Sequence, residues 1–266
     1  MSKMITKLTV AVAVFFFAAV SLQAAKISAY YDAPYADAKT VKVNLEKTGF
    51  QVLTTYSPAG KENLKVLVFT NKALSSNASK KTRGFAAIQR ALVDSKAKTV
   101  RVTNPAYWFK AFMQKDYKAD SDKAITASIT KALGKLTPTK DALNADDIAH
   151  YNYADAMPYY EDMLELKSGT ALAINPKKVA FTLKLENGST LVGVNMSKGS
   201  EKFIELIGED KSLALPYTVL IEDGKAYALH AKYYLAISYP LLSLDEFMKI
   251  SSTPDVIERK LKKSFK

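Results

Sequence analysis

The chain has no cysteine. That excludes disulfides, thiol catalysis, iron–sulfur clusters, thiolate zinc sites and c-type haem attachment. It has only two histidines, His150 and His230, which leaves no His-rich metal centre. Glycine is scarce, 10 in 266 residues, and no P-loop, GxGxxG, GxSxG, HExxH or EF-hand pattern occurs. After the first 25 residues no hydrophobic run is long enough to cross a bilayer. What is present is an ordinary globular composition, 48% apolar, which excludes disorder, collagen and coiled coil. No metal and no cofactor is expected.

The N-terminus gives an address. Lys3 and Lys7 precede an apolar run from Leu8 to Val20, and Ser21 to Ala25 then supply small residues for cleavage. The run is short of the roughly 20 residues a membrane span needs. Residues 1–25 are therefore predicted to be a signal peptide cleaved near Ala24/Ala25. Cleavage removes two lysines and no acid, lowering the formal charge from +12 to +10. An exported chain without cysteine suits a bacterial periplasm better than a disulfide-rich secretory route.

Hydrophobic patterning predicts short strands and helices in a recurring order. Ile27 to Tyr31 alternates as a strand. Ala38, Val41 and Leu45 mark a helix over residues 37–48, ended by Gly49. Residues 50–56 and 64–70 form a hairpin across Ser57-Pro58-Ala59-Gly60, and residues 85–93 and 99–103 form another. Pro105 opens an aromatic helix with Tyr107, Trp108, Phe109 and Phe112. The second half repeats this: a hairpin at Asn187-Gly188, a short helix capped by Ser200 and ended by Gly208, a hairpin at Asp223-Gly224, and an aromatic helix from Lys232 to Tyr239.

An internal duplication follows. The strand at residues 26–31 is matched with residues 147–152, and Asn104 to Phe112 with Ala231 to Tyr239. Between the units, Ile125, Ile129 and Leu133 mark a helix, and Thr137-Pro138-Thr139 is the expected break. Ser243-Leu244-Asp245-Glu246 and Thr253-Pro254 open two C-terminal helices. The expected fold is α+β: two similar βαββαββ-type units with curved antiparallel-rich sheets and helices on one face, plus C-terminal helices. The units occupy residues 26–136 and 137–266 and are expected to be related by an approximate twofold axis.

Two stretches carry a family resemblance. Leu67-Val68-Phe69-Thr70-Asn71-Lys72-Ala73-Leu74 looks like a strand ending in a phenylalanine–glycine–asparagine–proline turn, without its glycine and proline. Leu213-Ala214-Leu215-Pro216-Tyr217 through Asp223-Gly224-Lys225 looks like a leucine–proline strand entry and an acidic–glycine hairpin. Together with the element order they resemble the Domain of Unknown Function 302 family. The resemblance implies small α+β units, a tandem copy acting as an internal dimer, and no particular activity.

Few residues are suited to chemistry. His150 is placed in a strand and His230 at the end of the last strand, where neighbouring strands would bring the imidazoles together; two unrelated histidines, one packed in a strand, are the alternative. Tyrosine is abundant, 15 residues against one Trp. Tyr151, Tyr234 and Trp108 are the candidate lining of a cleft between repeats, against an ordinary role in sheet faces and interfaces. Glu161, Asp162 and Glu165 are expected on a helix, as a paired-acid site or a solvated face. The basic run Arg259 to Lys266 shares a helix with Ile257, Leu261 and Phe265 and suits an anionic surface.

These features point to an exported, non-enzymatic protein binding a small ligand or an envelope partner between its repeats. One alternative is a periplasmic enzyme using His150 or His230 with a nearby carboxylate. A second is a basic protein associating with an anionic envelope surface. Nucleic acid is not an expected partner of an exported chain.

Overall fold

The computed structural model describes residues 25–170, 172–196 and 198–265, so the expected signal peptide lies outside the described residues apart from Ala25. The first unit runs β1 (Lys26–Ser28), β2 (Tyr30–Ala33), α1 (Ala38–Lys47), β3 (Gln51–Tyr56), β4 (Leu64–Thr70), α2 (Lys72–Ala78), β5 (Gln89–Asp94), β6 (Thr99–Thr103), α3 (Pro105–Met113), α4 (Lys123–Leu133), β7 (Thr137–Pro138) and β8 (Ala142–Asn144). The second runs β9 (Leu164–Ser168), β10 (Val179–Lys184), β11 (Thr190–Val194), α5 (Lys198–Glu201), α6 (Phe203–Ile207), β12 (Tyr217–Glu222), β13 (Lys225–Ala228) and α7 (Ala231–Ser238), followed by α8 (Leu244–Lys249) and α9 (Thr253–Lys262).

The fold is α+β, and its two main sheets share one strand order. The first is β3-β4-β5-β6-β2 with β7 added at the edge; the second is β10-β11-β12-β13-β9. In each main sheet the strand earliest in the chain, β2 or β9, has crossed to lie beside β6 or β13, and every pairing is antiparallel. The two units thus repeat one strand order.

Local sequence explains the elements. Asp37 accepts from the Thr40 N–H and caps α1, which buries Val41 and Leu45; Gly49 follows at φ +89°. Ser243 and Glu246 close a reciprocal capping box on α8. Ile125, Ile129 and Leu133 of α4 all face inward. Strand β4 reads as a nearly continuous apolar run because both of its faces are covered, and β5 is buried along its whole length although Gln89, Arg90 and Asp94 stand at its ends. Helix α1 packs against β3 and β4, and the 3-10 segment 209–214 of the second unit packs against β4, β5 and β6.

Several expectations need correction. The second unit's first strand is β9, whereas residues 147–152 form a 3-10 turn and open chain. The alternation in 147–152 is too short to hold a strand without a partner, while β9 pairs with β13 through Leu164 and Lys167. Glu161 and Asp162 consequently lie in a turn, and Glu165 stands on a strand, paired with Lys225 at 2.8 Å. Thr137-Pro138 is no break but an edge strand opposite Asp32 and Tyr31, a position proline tolerates. With β8 pairing to β1, residues 137–144 belong by hydrogen bonding to the first unit. Ser200 lies inside α5 instead of capping a helix, and among the described residues between β9 and β10 the helical structure is the 3-10 turn 176–178, with no α-helix to match α1. His230 ends no strand: it is the N-cap of α7.

Candidate functional site

The cleft expected between the repeats is filled by buried aromatic side chains. Helices α3 and α7 start from matching caps: Asn104 accepts from the Ala106 N–H, and His230 accepts through Nδ1 from the Lys232 N–H at 3.2 Å. The match is thus one residue out of step with the alignment expected from sequence, which paired Asn104 with Ala231. Counted from the caps, Tyr107 is equivalent to Tyr233, Trp108 to Tyr234 and Ala111 to Ile237. The contacts obey that equivalence. The Tyr107 hydroxyl donates to the Ile237 carbonyl at 2.7 Å, and the Tyr233 hydroxyl donates to the Ala111 carbonyl at 3.4 Å. Equivalent groups exchanging equivalent bonds are the signature of a twofold interface. Trp108 and Tyr234 meet each other with ring centroids 6.4 Å apart.

Two of the sequence-predicted site residues are thereby placed in the interior. Trp108 donates from Nε1 to the Ala29 carbonyl at 2.9 Å, and the Tyr234 hydroxyl donates to the Ala214 carbonyl at 3.1 Å. Phe112 and Tyr217 complete the aromatic packing around Tyr234. Burial raises the hydroxyl pKa of Tyr107, Tyr217, Tyr233 and Tyr239 well above the tyrosine norm, so these groups stay neutral. Tyr107, Tyr233 and Tyr239 donate to main-chain carbonyls, while the Tyr217 hydroxyl is buried without a partner among the described residues.

Polar contacts fasten the same interface. Glu201, buried in α5, accepts from the Tyr56 hydroxyl and from the Ala59 N–H of the first unit, and burial pushes its carboxyl pKa up. Arg101 bridges Asp32 of its own unit and Asp210 of the other at 2.8 and 3.0 Å. Arg90 is the anomaly, at 5% exposure. Its Nη2 donates to the Pro216 carbonyl at 3.2 Å, its Nε has no partner, and the arginine ion pairs of the described residues are those of Arg83 and Arg101.

The other pair of expected residues reaches solvent together. Leu143, Asp146, Asp147, His150, Tyr151 and Asn152 line an open cavity of about 510 Å³. Asp147 is the N-cap of the 3-10 turn 148–150 that carries His150, the His150 N–H bonding to the Asp147 carbonyl at 3.2 Å, and Asp146 lies in the turn just before it. Asn144 donates to Asp147 Oδ2 at 2.9 Å and orients it. Tyr151 is half-buried, its hydroxyl 3.4 Å from the Ala236 carbonyl, and burial pushes its pKa up to about 12. His150 is exposed, and its ring makes no hydrogen bond among the described residues.

His230 lies elsewhere, on α7, with burial first and the Lys232 charge second lowering its pKa. The structure does not place it among the residues lining the His150 cavity. Sequence reasoning missed Asp147 because a strand would have turned it to the face opposite His150, and Asp146 because it lay before the expected strand; their spacing of three and four residues from His150 was the available signal. Among the described residues no group of three or more acidic or histidine side chains is arranged to hold a metal ion, and no helix is long and apolar enough to cross a membrane.

No family model, no curated protein and no solved structure matches this chain.

Proposed function

We propose that the protein is an exported, non-enzymatic binding protein that holds a small polar ligand, or a short segment of an envelope partner, in the pocket over residues 143–152. The observation that carries this is the convergence of Asp146, Asp147, His150 and Tyr151 on one open cavity. Two carboxylates and an imidazole favour a ligand that brings donors or positive charge. The N-terminal sequence supports export, and the shared strand order of the two units supports a tandem relationship of the kind the Domain of Unknown Function 302 resemblance implies.

A catalytic reading has one observation in its favour, the carboxylates beside His150. A catalytic histidine, however, is normally oriented by a hydrogen bond from a third group, and the His150 ring makes none to a described residue. Binding is the better account.

The test uses mature protein from the periplasm. N-terminal sequencing should find Ala25 or Lys26 first, and native mass spectrometry should find a co-purifying molecule. The double variant Asp146→Asn/Asp147→Asn should fold normally and retain that molecule at least about tenfold more weakly, as expected where a charged hydrogen-bond partner is neutralised. Unchanged retention would remove the pocket from the account. Turnover abolished by His150→Ala with unchanged binding would favour the enzyme.

A further inference from the structure

The basic C-terminal run is not used by the pocket at residues 143–152, and the fold gives part of it company. Lys260, on α9, faces a second cavity of about 290 Å³, also lined by Lys177, Lys178, Asn195 and Met196. No carboxylate lines it. Among the described residues none of the three lysines forms an ion pair; of the two acids on α9, Glu258 is taken by Lys262 at 2.7 Å, and Asp255 lies about a turn and a half before Lys260, off its face. Lys260 has no acid three or four residues away on its own helix, so its charge is left for the cavity.

The lysines are also held in place. The 3-10 turn 176–178 carries Lys177 and Lys178, and its backbone is tied on three sides. The Asn195 N–H donates to the Lys178 carbonyl at 2.7 Å, the Asn175 N–H to the Ser264 carbonyl at 2.8 Å, and the Lys178 N–H to the Asn175 carbonyl at 2.8 Å. Lys178 Nζ is itself anchored on the Lys263 carbonyl just beyond α9, at 2.7 Å. Three cations brought together from two distant stretches of chain repel one another unless an anion sits between them.

We propose that this cavity is a binding site for a phosphate group, held by Lys177, Lys178 and Lys260, with the Asn195 side chain at its rim. The same chemistry is offered by free inorganic phosphate and by the head group of an anionic phospholipid. Surface charges are screened beyond about 8 Å at physiological ionic strength, so binding falls with added salt.

The test compares two variants of the mature protein with equal charge loss. Lys177→Gln/Lys178→Gln/Lys260→Gln removes the cluster; Lys39→Gln/Lys72→Gln/Lys131→Gln removes three exposed lysines of the first unit. Calorimetric titration with inorganic phosphate, and sedimentation with vesicles of phosphatidylglycerol or phosphatidylcholine, read the affinity, with circular dichroism to verify folding. The expected result is at least a tenfold loss for the cluster variant and less than twofold for the control, in one of the two anionic assays. Loss with phosphate identifies a free anion; loss only with phosphatidylglycerol vesicles identifies a head group. Equal behaviour of the two variants in both assays, or no binding by the parent protein in either, overturns the site.

Discussion

Tyr107 and Tyr233 each set a hydroxyl on a main-chain carbonyl of the opposite aromatic helix, at 2.7 and 3.4 Å. Both side chains are buried, so deleting the oxygen removes a bond that water cannot replace. Tyr107→Phe is expected to cost about 1 kcal/mol, a typical net value for one such bond. Tyr233→Phe should cost less, because its bond is longer. Chemical denaturation of the two variants checks the order; a larger loss for Tyr233→Phe would show that these bonds do not rank as their geometry says.

His230 gives a pH dependence. Its Nδ1 accepts from the Lys232 N–H only when unprotonated, and burial holds its pKa below the usual histidine value. The unfolded chain then takes up the proton first, so the contribution to stability is complete above about pH 6.5 and is lost as pH falls through the depressed folded value. Asn in its place would cap the helix without titrating. The melting temperature of the parent protein should therefore fall more steeply between pH 7.5 and 5 than that of His230→Asn. Parallel curves would mean that the cap does not titrate there.

At the scale of elements, each unit lends the other a segment. The 3-10 turn 84–87 of the first unit packs against β11 and β12, as the segment 209–214 packs against β4 to β6. Gly84 is there because nothing larger fits. A Cβ at that position would stand 2.4 Å from Leu220 Cδ1 and 3.2 Å from Leu185 Cδ1, both side chains buried in the second unit. Gly84→Ala is expected to destabilise the whole chain by about 1–3 kcal/mol, as overpacking does. A neutral outcome in urea denaturation would mean the units sit more loosely than the contact implies.

Helix α1, the hairpins and the aromatic helices were legible because their signals are local: Val41 and Leu45 at helical spacing, Asn187-Gly188 and Asp223-Gly224 at turns, Pro105 at a first turn. The strand β9 was not, since its partner β13 lies about sixty residues on and nothing local separates Leu164 to Ser168 from the chain around it. The equivalence of Trp108 and Tyr234 was legible as a pair of aromatic helices, yet the caps Asn104 and His230 were needed to set the register. Of the site, His150 and Tyr151 were visible as residue types. Asp146 and Asp147 were hidden behind a strand assignment, and the grouping of Lys177 and Lys178 with Lys260 depends on tertiary folding alone.

For the whole molecule, the two units share one hydrophobic core, running from Ala29 and Leu45 in the first to Ile257 and Leu261 on α9. Units of little more than a hundred residues have limited interiors of their own, and joining them buries further apolar surface at about 25 cal/mol per Å². The ring contacts of Trp108 with Tyr234, and the paired tyrosine bonds about them, leave the axis to packing. Differential scanning calorimetry of the parent protein and of Trp108→Ala tests this account most directly. The parent protein should melt in a single transition with equal calorimetric and van't Hoff enthalpies. Trp108→Ala, a loss of about 3–5 kcal/mol for a buried tryptophan, should lower that one transition as a whole. Two resolved transitions in the parent, or a variant in which only half of the heat absorption moves, would contradict a single core shared by two like units.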